Sequence, residues 1–413
     1  MLKNILLNYK HIIKNTGYLS IIEIIRFIMP FIALPYIIKT VGGNYYGTVV
    51  YAQGVVAFFT IFINFGLDIS AVKDVSVSRN NKTALNNIVS SVLCIKSILF
   101  IIAFLVFLII ILSIAYFRNN QLIYFFAFLT CLSEILFPIW FYQGIEKMKY
   151  ITIIRSTSIL LYTISIFIFI KQSDDYIWIP LLQSSSNIIA GIISFFVLLR
   201  IEKIRLLYPG FQQIKTLFIS SIPFFFSRLS VVVNNQIAKI ISGVFFSMQA
   251  VAALDLAQKF GSIALLPMQM LNQATYPHIA KTKDTHFVRK FFYVNILISF
   301  TVSLFVFIIA PYAVNFFSNQ ELPEAIALTR IICLWIFCGG LTSYIGSPLL
   351  VSFGYPAYFN KSVILSTIIL LLIYGLMYIL NLFTIYNFVF ALFLSELIIL
   401  IYRLYYCRKY DIL

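Results

Sequence analysis

Two long apolar segments decide the fold of this chain: IKTLFISSIPFFFSRLSVVVNNQIAKIISG at residues 214–243 and MQAVAALDLAQKFGSIALLPMQMLNQATYP at residues 248–277. Each segment is long and apolar enough to cross a bilayer, because about 20 apolar residues in a helix span the hydrocarbon core. Each also carries charged residues near its middle. The fold must therefore place these charges where lipid does not reach them.

The polar residues of each segment fall on one side of a helix. At about 100° per residue, their spacing keeps those of the first segment within roughly 60° of one another, and the second segment repeats the pattern. The polar residues of the first segment are Ser221, Arg228, Asn235, Lys239 and Ser242. Those of the second segment are Asp255, Lys259, Ser262, Gln269 and Gln273. The two helices are predicted to face a shared aqueous space.

The charged members of these stripes are candidate substrate contacts. A charged side chain at mid-bilayer costs about 2.5–3.5 kcal/mol on insertion scales, so such residues usually face a cavity, a partner or a substrate. Arg228 and Lys239 have no acid on their own helix, which favours a cationic cavity. Asp255 and Lys259 lie four residues apart, and the alternative for them is an ion pair that cancels. A second alternative is that all these charges are structural or snorkel to the surface.

The composition identifies an all-α polytopic membrane protein. In 413 residues, 61% are hydrophobic and 11% are charged, and the mean hydropathy is +0.97, which excludes a soluble globular protein. Apolar runs long enough to span a bilayer predict twelve transmembrane helices. They are 17–39, 45–65, 87–116, 121–142, 151–170, 176–199, 214–242, 248–273, 290–317, 325–351, 360–380 and 384–406.

The distribution of positive charge predicts the orientation. Of 30 Lys and Arg residues, three lie in loops or at a span end on one side (Lys39, Arg118 and Lys171), six lie deeper within spans, and the remaining 21 lie in loops or near span ends on the side of the N-terminus. Positive charge marks the cytoplasmic side of a membrane protein, so both termini are predicted to be cytoplasmic. The net charge of +16 is therefore explained by topology and anionic lipid, and no nucleic-acid partner is predicted.

Several classes of site have no counterpart in the sequence. The five cysteines and three histidines show no metal-ligand spacing, so no metal site is predicted. No Gly-rich loop is present that would cradle a nucleotide phosphate. Transport is therefore expected to need no cofactor, and any energy would come from a gradient such as H⁺ or Na⁺. The outer loops are short, which disfavours a membrane enzyme with a large external catalytic loop.

The basic connection RIEKIRLLYPGFQQ at 200–213 divides the spans into two sets of six with the same orientation, as in transporters built from parallel repeats. Residues 1–16 have apolar and basic faces at helical spacing and are predicted to lie on the cytoplasmic leaflet. The predicted parts are an interfacial helix (1–16), an N-lobe with spans one to six (17–199), a cytoplasmic linker (200–213) and a C-lobe with spans seven to twelve (214–413).

The N-lobe contributes further candidates. Arg26 is a candidate substrate contact in the first span, and Glu23, three residues before it, is either its ion partner or an ion-coupling residue. Gln53 belongs to an uncharged polar stripe on the second span that suits a cavity wall. Lys96 lies near the inner end of its span and is predicted to snorkel. Glu134 lies deeper and is a candidate for ion coupling, with a structural hydrogen bond as the alternative.

The stretch FPIWFYQGIEKMKY at 137–150 resembles a motif of the bacterial flippases that translocate O-antigen and related lipid-linked polysaccharide repeat units. Three further stretches also resemble this polysaccharide transporter family. They are TVGGNYYGTVVYAQ at 40–53, NFGLDISAVKDVSVSRNN at 64–81 and PMQMLNQATYPHIAK at 267–281. With the twelve spans, the resemblance covers essentially the whole chain.

The resemblance implies the fold of the multidrug/oligosaccharidyl-lipid/polysaccharide (MOP) exporters, in which two six-helix lobes surround a central cationic cavity. It implies a flippase that moves undecaprenyl-pyrophosphate-linked oligosaccharide from the cytoplasmic to the periplasmic leaflet of the bacterial inner membrane. A polysaccharide polymerase and a chain-length regulator are the implied protein partners. The family's Ala-Glu-Lys in the eighth helix is replaced here by Ala257-Gln258-Lys259, so the lysine carries over and the glutamate does not.

The residue pattern and the resemblance predict the same kind of site. The predicted substrate contacts are Arg26, Gln53, Arg228, Asn235, Lys239 and Lys259, and the candidates for ion coupling are Glu23, Glu134 and Asp255. Arginine suits the pyrophosphate because its planar fork of donors matches phosphate oxygens. Two alternatives share part of the evidence: an exporter of small cationic drugs, whose cavity should be dominated by acids, and a membrane polymerase, which the short loops disfavour.

Overall fold

The computed structural model describes Met29 and residues 31–413, and in this part of the chain the regular secondary structure is entirely helical. Short segments of 3₁₀-helix (Ser173–Ile177) and π-helix (Val197–Ile201 and Ile345–Val351) extend three of the spans. The α-helices are α1 Phe31–Val41, α2 Gly43–Asn64, α3 Leu67–Val77, α4 Lys82–Ser113, α5 Ala115–Asn119, α6 Gln121–Phe128, α7 Thr130–Leu136, α8 Ile139–Gly144, α9 Met148–Phe169, α10 Trp178–Phe196, α11 Phe211–Phe245, α12 Met248–Ala264, α13 Leu266–Thr282, α14 Thr285–Ser318, α15 Glu324–Tyr344, α16 Pro356–Ile379 and α17 Ile385–Lys409.

Short polar side chains begin several of the long helices. Asn81 accepts a hydrogen bond from the Ala84 backbone N–H at 3.1 Å and caps α4, and Ser247 caps α12 in the same way. Asp284 and Thr384 cap α14 and α17. Such caps satisfy backbone donors that the first helical turn leaves unpaired. The loops between spans can therefore be short without leaving those groups unbonded.

Eleven helical segments of the described chain are long and apolar enough to cross a membrane. They coincide with the second to twelfth predicted spans, so the chain is a multi-pass membrane protein and the predicted all-α class is confirmed. The first predicted span, 17–39, lies mostly outside the described residues, and Phe31–Val41 is its described end. The count of twelve therefore stays a prediction.

Two spans are interrupted where the sequence departs from helical preference. The second span bends at Phe65 and Gly66, which both have positive φ. Gly66 has φ +71°, and a Cβ there would lie 2.6 Å from the backbone nitrogen of Phe225, so only glycine fits. The fourth span breaks at Phe137–Pro138, between α7 and α8, because proline provides no backbone N–H to continue the ladder.

The described chain forms two compact units. Unit 1 contains the described residues up to Val41 together with Ala52–Leu229. Its core includes the buried residues Trp140, Phe141 and Tyr142 of the FPIWFYQG motif, packed with residues of α3 and α4. The Tyr142 hydroxyl donates to the Ser194 carbonyl at 2.6 Å, which ties α8 to α10. The motif singled out in the sequence therefore has a structural role in this core.

Unit 2 contains Gly42–Tyr51 and Ser230–Leu413. Its core includes Tyr344, whose buried hydroxyl donates to the Val288 carbonyl at 3.1 Å. The first turns of α2 belong to this unit because Gly47 packs directly on the start of α12. A Cβ at Gly47 would lie 1.7 Å from the Met248 carbonyl oxygen, so glycine is required for this approach.

The unit boundaries fall inside α2 and α11, so each of these two helices contributes residues to both units. The sequence places its lobe limits elsewhere, with lobes at 17–199 and 214–413 and a linker at 200–213. These limits stay a prediction. The interfacial helix predicted for residues 1–16 lies outside the described residues.

Orientation is testable through two loops on the side predicted to be periplasmic. Asp174 and Glu321 are exposed, so single cysteines placed there should react with an impermeant thiol reagent added to intact cells. The five native cysteines should first be replaced; four of them are buried. Cysteines at Asn80 and Lys283, exposed residues of the opposite side, are the matched controls and should react only after permeabilisation. The reverse labelling pattern would contradict the predicted orientation.

Candidate functional site

The two polar stripes meet in unit 2 at one buried carboxylate. Asp255 accepts a hydrogen bond from Lys239 Nζ on one oxygen and from Lys259 Nζ on the other, each at 2.7 Å. The Tyr46 hydroxyl donates to the same oxygen as Lys259, at 2.5 Å, and accepts from Lys259 at 2.6 Å. We refer to Tyr46, Lys239, Asp255 and Lys259 as the Asp255 cluster.

The local fold explains this convergence. Asp255 lies two turns into α12, within the run Ala250–Ala257, which is buried throughout. Gly47 allows α2 to approach the start of α12, which brings Tyr46 onto the carboxylate. Lys259 follows Asp255 by one helical turn on the same face, and Lys239 reaches it from α11. The predicted i,i+4 pair of Asp255 and Lys259 is therefore present, and Lys239 has its acid on the neighbouring helix.

The Asp255 cluster carries one more positive charge than negative charge. Asp255 is 4% exposed, so its charge is held by direct contacts in a region of low dielectric. The Lys239 side chain is 13% exposed and the Lys259 side chain is 35% exposed. The carboxylate therefore orients both lysines, and Lys259 presents most of the surplus charge to its surroundings.

A cavity of about 450 Å³ lies beside the Asp255 cluster, and all of its described lining residues belong to unit 2. Lys239, Asp255 and Lys259 line it together with Asn235 and other polar residues. A second acid, Glu396, also lines it; Thr342 donates a hydrogen bond to that carboxylate. The structure thus places four of the predicted site residues, Asn235, Lys239, Asp255 and Lys259, around one cavity of the size that small ligands occupy.

In unit 1, Arg228 forms an ion pair with Asp68, with 2.9 Å between Nη2 and Oδ2. Both side chains are partly exposed, at 45% and 36%. Arg228 has no acid within its own helix, and Asp68 comes from α3, directly after the bend at Gly66. One of the two Asp68 oxygens has no hydrogen-bond partner in the described structure. A guanidinium has five N–H donors, so an ion pair with Asp68 leaves donors that can face a ligand.

Packing around the bend fixes this ion pair. Phe65 stacks on Phe218 and Phe225 of α11, with ring centroids 4.4 and 4.6 Å apart. Ser70 and Ser221 share a hydrogen bond of 2.7 Å between α3 and α11. Ser221, the first member of the predicted stripe, therefore holds helices together, whereas Arg228 remains accessible two turns further along α11.

Lys96 corrects one prediction. It was expected to snorkel to the surface, but it is 2% exposed. Its Nζ donates to Asn64 Oδ1 at 2.6 Å and to the Glu134 carbonyl at 2.9 Å. Asn64 in turn donates to the Glu134 carboxylate at 2.9 Å. Snorkelling is unnecessary because two groups, one on α2 and one on α7, accept hydrogen bonds from the ammonium inside the unit. Glu134 also lines a small cavity of about 130 Å³ with Arg155.

The uncharged stripe of the second span makes specific contacts with neighbouring helices. Gln53 donates to the Gln183 side chain of α10 at 2.5 Å. Thr60 lies 3.7 Å from the Cys131 sulfur of α7, and Asn64 contacts Glu134 of the same helix. Gln53, predicted to bind substrate, thus has a protein partner. Its role in binding stays a prediction, as do those of the other predicted site residues.

The remaining members of the stripes are divided between the interior and the surface. Ser242 is fully buried. Ser262, Gln269 and Gln273 are exposed, and the two glutamines line a further cavity of about 350 Å³. Arg26 and Glu23 lie outside the described residues, so the structure does not place them.

Two charged residues were missed by sequence reasoning. Asp68 follows a Gly-containing bend, and its partner on α11 cannot be identified from spacing along either helix. Arg403, near the end of α17, is buried and donates to the Thr342 carbonyl at 2.7 Å and to Ser362 at 2.9 Å. Thr342 thus links Arg403 to Glu396. Within the described residues, no group of three or more His, Cys, Asp or Glu side chains could hold a metal ion.

The sequence matches known proteins over most of its length. A family model described as polysaccharide biosynthesis protein matches residues 12–283. Over 367 residues the chain is 23% identical to a protein of Escherichia coli (strain K12) named "Putative O-antigen transporter", covering 87% of this chain and 88% of that protein. A protein of the same name in Shigella dysenteriae is 24% identical over 279 residues, covering 67% of this chain and 69% of that protein.

Solved structures have the same fold. An inward-facing multidrug resistance MATE family transporter of the MOP superfamily matches with a TM-score of 0.73 and 14% identity, covering 92% of this chain and 94% of that chain. The lipid II flippase MurJ, in an inward closed conformation, matches with a TM-score of 0.72 and 14% identity, covering 94% of this chain and 87% of that chain. At this identity the likeness concerns the fold alone, and it confirms the predicted exporter fold.

The Asp255 cluster predicts a specific loss of stability. Asp255→Asn leaves two lysines without their counter-charge, and breaking a buried ion pair in this way costs about 3–5 kcal/mol. The melting temperature of the detergent-purified protein should therefore fall clearly. Adding Lys239→Met should restore part of the loss, because it removes one of the unpaired cations. Glu321→Gln, at an exposed loop acid, is the control and should not change the melting temperature. An unchanged melting temperature in Asp255→Asn would contradict the role assigned to the carboxylate.

Proposed function

The chain belongs to the polysaccharide biosynthesis protein family, and from this membership we propose that it is a transporter that flips a lipid-linked oligosaccharide across the membrane. The relatives named as O-antigen transporters and the fold shared with a lipid II flippase support a flippase and not an enzyme. The proposed cargo is an oligosaccharide linked to undecaprenyl pyrophosphate. The proposed direction is from the cytoplasmic to the periplasmic leaflet of the bacterial inner membrane, with both termini in the cytoplasm.

The observation that carries this proposal is the surplus positive charge of the Asp255 cluster beside its cavity. A pyrophosphate ester carries about two negative charges, and charge-assisted hydrogen bonds to such groups are roughly twice as strong as neutral ones. Lys259 is the lysine of the cluster with the greater exposure. Because Asp255 already orients both ammonium groups, they need not be reorganised when the anion arrives.

Arg228 is the second proposed contact. Its ion pair with Asp68 is partly exposed, so solvent weakens the attraction between the two side chains. An incoming phosphate can therefore compete for the guanidinium, whose planar donors suit phosphate oxygens. In the proposed mechanism Asp68 holds Arg228 ready when no substrate is bound. Arg26 is a further proposed contact on the evidence of the sequence.

Ion coupling, by H⁺ or Na⁺, belongs to the same proposal. Among the described candidates, Asp255 has two lysine ammonium groups at 2.7 Å. Its negative charge is therefore already neutralised, which disfavours binding of a further H⁺ or Na⁺. The Glu134 carboxylate accepts from an amide, and it lines a cavity with Arg155. We therefore favour Glu134 over Asp255 as the coupling residue. A polymerase and a chain-length regulator are the proposed partners, because a translocated repeat unit must next be polymerised.

An exporter of small cationic drugs is the second candidate, since a MATE transporter shares the fold. The unit 2 cavity contains two acids, Asp255 and Glu396, which a cation would require. Asp255 is occupied by lysines, and Glu396 is linked through Thr342 to Arg403. Counting these partners, three cations accompany two acids, so the local charge disfavours a cationic substrate.

Deletion of the gene tests the transport step. Surface polysaccharide should disappear, and lipid-linked repeat units should accumulate in the cytoplasmic leaflet, because polymerisation then lacks its substrate. Leaflet position is measured by the access of an impermeant glycosidase or lectin to intact spheroplasts. Repeat units that reach the periplasmic leaflet but remain unpolymerised would identify a polymerase and contradict the proposal.

Substitutions at Arg228 test phosphate binding. Arg228→Lys should retain part of the surface polysaccharide, because the charge remains while the planar fork is lost. Arg228→Ala should lose most of it, since charge-assisted hydrogen bonds contribute about 1.5–3 kcal/mol each. Arg228→Glu should lose essentially all of it. Complementation of the deletion strain at equal membrane protein levels is the measurement.

The charge-swapped pair Asp68→Arg with Arg228→Asp separates a structural role from a binding role. If Arg228 serves only to pair with Asp68, the swapped pair should complement the deletion. Phosphate binding instead predicts that the swap fails although the protein is present at normal level, because an acid then occupies the position of the guanidinium. Full complementation by the swap, or by Arg228→Ala, would remove Arg228 from the proposed mechanism.

A further inference from the structure

A fourth cavity, of about 580 Å³, lies in unit 1 between the end of α3, the first turns of α4 and the start of α11. Its volume is within the range of clefts that bind small ligands. Most of its described lining residues are polar by type: one carboxylate (Asp74), carboxamides that include Asn87 and Gln212, and several hydroxyls. Ile88, Leu217 and the aliphatic parts of the polar side chains make most of the exposed surface of the cavity apolar. The proposed phosphate contacts and the proposed ion-coupling residue lie outside the described lining of this cavity.

Two adjacent Asn–Ser pairs on α4 have different environments. Asn86 and Ser90 accept hydrogen bonds from the backbone N–H groups of Arg205 and Leu207, at 3.0 and 2.8 Å, and so hold the 200–213 connection. Asn87 and Ser91, one residue further along in each case, face the cavity. Each pair is spaced by four residues and therefore lies on one face of the helix. Asn86 and Ser90 therefore have a structural role, whereas Asn87 and Ser91 line the cavity.

The environment of Ser91 indicates that the cavity binds a ligand. It is 2% exposed, it lines the cavity, and its hydroxyl has no hydrogen-bond partner in the described part of the chain. A buried hydroxyl without a partner loses the hydrogen bonds it would make with water, so native proteins rarely keep one without a reason. A ligand group in the cavity would satisfy it.

The charge of the wall selects the class of ligand. Lys and Arg are absent from the described lining residues, and Asp74 contributes a negative charge. A phosphate would be repelled, whereas a neutral polyhydroxyl compound can donate to Asp74 and to amide oxygens and accept from amide N–H groups and from Ser91. Ile88 and Leu217 can contact the apolar face of a sugar ring. The wall therefore matches a sugar and not a lipid phosphate.

We propose that this cavity is a subsite for the neutral sugars of the transported oligosaccharide, with Asp74, Asn87 and Ser91 as the recognising groups. This inference rests on the proposed function, because it assumes a sugar-bearing substrate. It adds a separation of tasks: the proposed cationic contacts, Lys259 and Arg228, bind the pyrophosphate, and a wall whose one described charge is an acid binds the sugar hydroxyls. The orientation predicted from the basic loops places this cavity at the cytoplasmic leaflet.

The test measures binding to the full-length protein in lipid nanodiscs by native mass spectrometry, with two probes. The first is the repeat-unit oligosaccharide freed of lipid and pyrophosphate by mild acid, prepared from lipid extracts of the deletion strain. The second is undecaprenyl pyrophosphate without sugar. Ser91→Ala should weaken the binding of the oligosaccharide about two- to tenfold, the loss of one neutral hydrogen bond. Asp74→Asn should weaken it about tenfold or more, because bonds to a charged acceptor are stronger.

Ser90→Ala is the matched control, since Ser90 and Ser91 are adjacent and both buried. Ser90→Ala leaves the Leu207 N–H unbonded, so the melting temperature should fall while the remaining folded protein keeps its affinity for the oligosaccharide. Ser91→Ala removes no described hydrogen bond, so the melting temperature should be unchanged and only the affinity should fall. Neither Ser91→Ala nor Asp74→Asn should weaken binding of the sugar-free carrier.

Three outcomes would overturn the inference. Unchanged oligosaccharide affinity in both Ser91→Ala and Asp74→Asn would exclude the subsite while leaving the proposed function intact. Tighter binding of the sugar-free carrier in Asp74→Asn would show that the cavity takes phosphate, because removal of the acid would then relieve repulsion. If the unsubstituted protein binds neither the oligosaccharide nor the sugar-free carrier, the proposed function is overturned, and the sugar subsite with it.

Discussion

A charge inside a bilayer must be matched by a group of the protein, and this constraint organises the described structure. Lysines at positions 239 and 259 share the Asp255 carboxylate, Arg228 has Asp68, and Lys96 is held by an amide and a carbonyl. In each case the partner lies on another helix or, for Lys259, also on its own. The ion pairs and hydrogen bonds therefore fix which helix faces are adjacent, a task that apolar packing alone does less selectively in a membrane.

The paired cationic side chains differ in how much of each remains exposed. Lys96 is buried, donates two hydrogen bonds within unit 1 and has a structural role. Arg228 and Lys259 are paired but remain partly exposed, so their partners orient them without removing them from a ligand. This difference in exposure, and not the presence of charge as such, is why Arg228 and Lys259 are proposed as binding contacts and Lys96 is not.

Most of the helices were predictable from sequence, because the length of an apolar run directly reflects the thickness of the bilayer. The faces of α11 and α12 were predictable for a similar reason, since helical periodicity fixes which residues share a side. The partners were not predictable: periodicity gives a direction around one helix, whereas Asp68 reaches Arg228 through a bend at Gly66 set by tertiary packing. Lys96 was misinterpreted for the same reason. The roles of Arg26 and Glu23 remain at the level of the sequence.

Because a single carboxylate serves two lysines and a tyrosine, the Asp255 cluster also constrains how relatives can diverge. Loss of the acid would leave two unmatched cations, so a lineage that replaces Asp255 must also replace a lysine or acquire an acid nearby. Tyr46 is affected by the same replacements, because its hydroxyl donates a hydrogen bond to Asp255 and accepts one from Lys259. Positions 46, 239, 255 and 259 should consequently change together among homologous sequences, although 46 is separated from the other three by most of the N-terminal half of the chain.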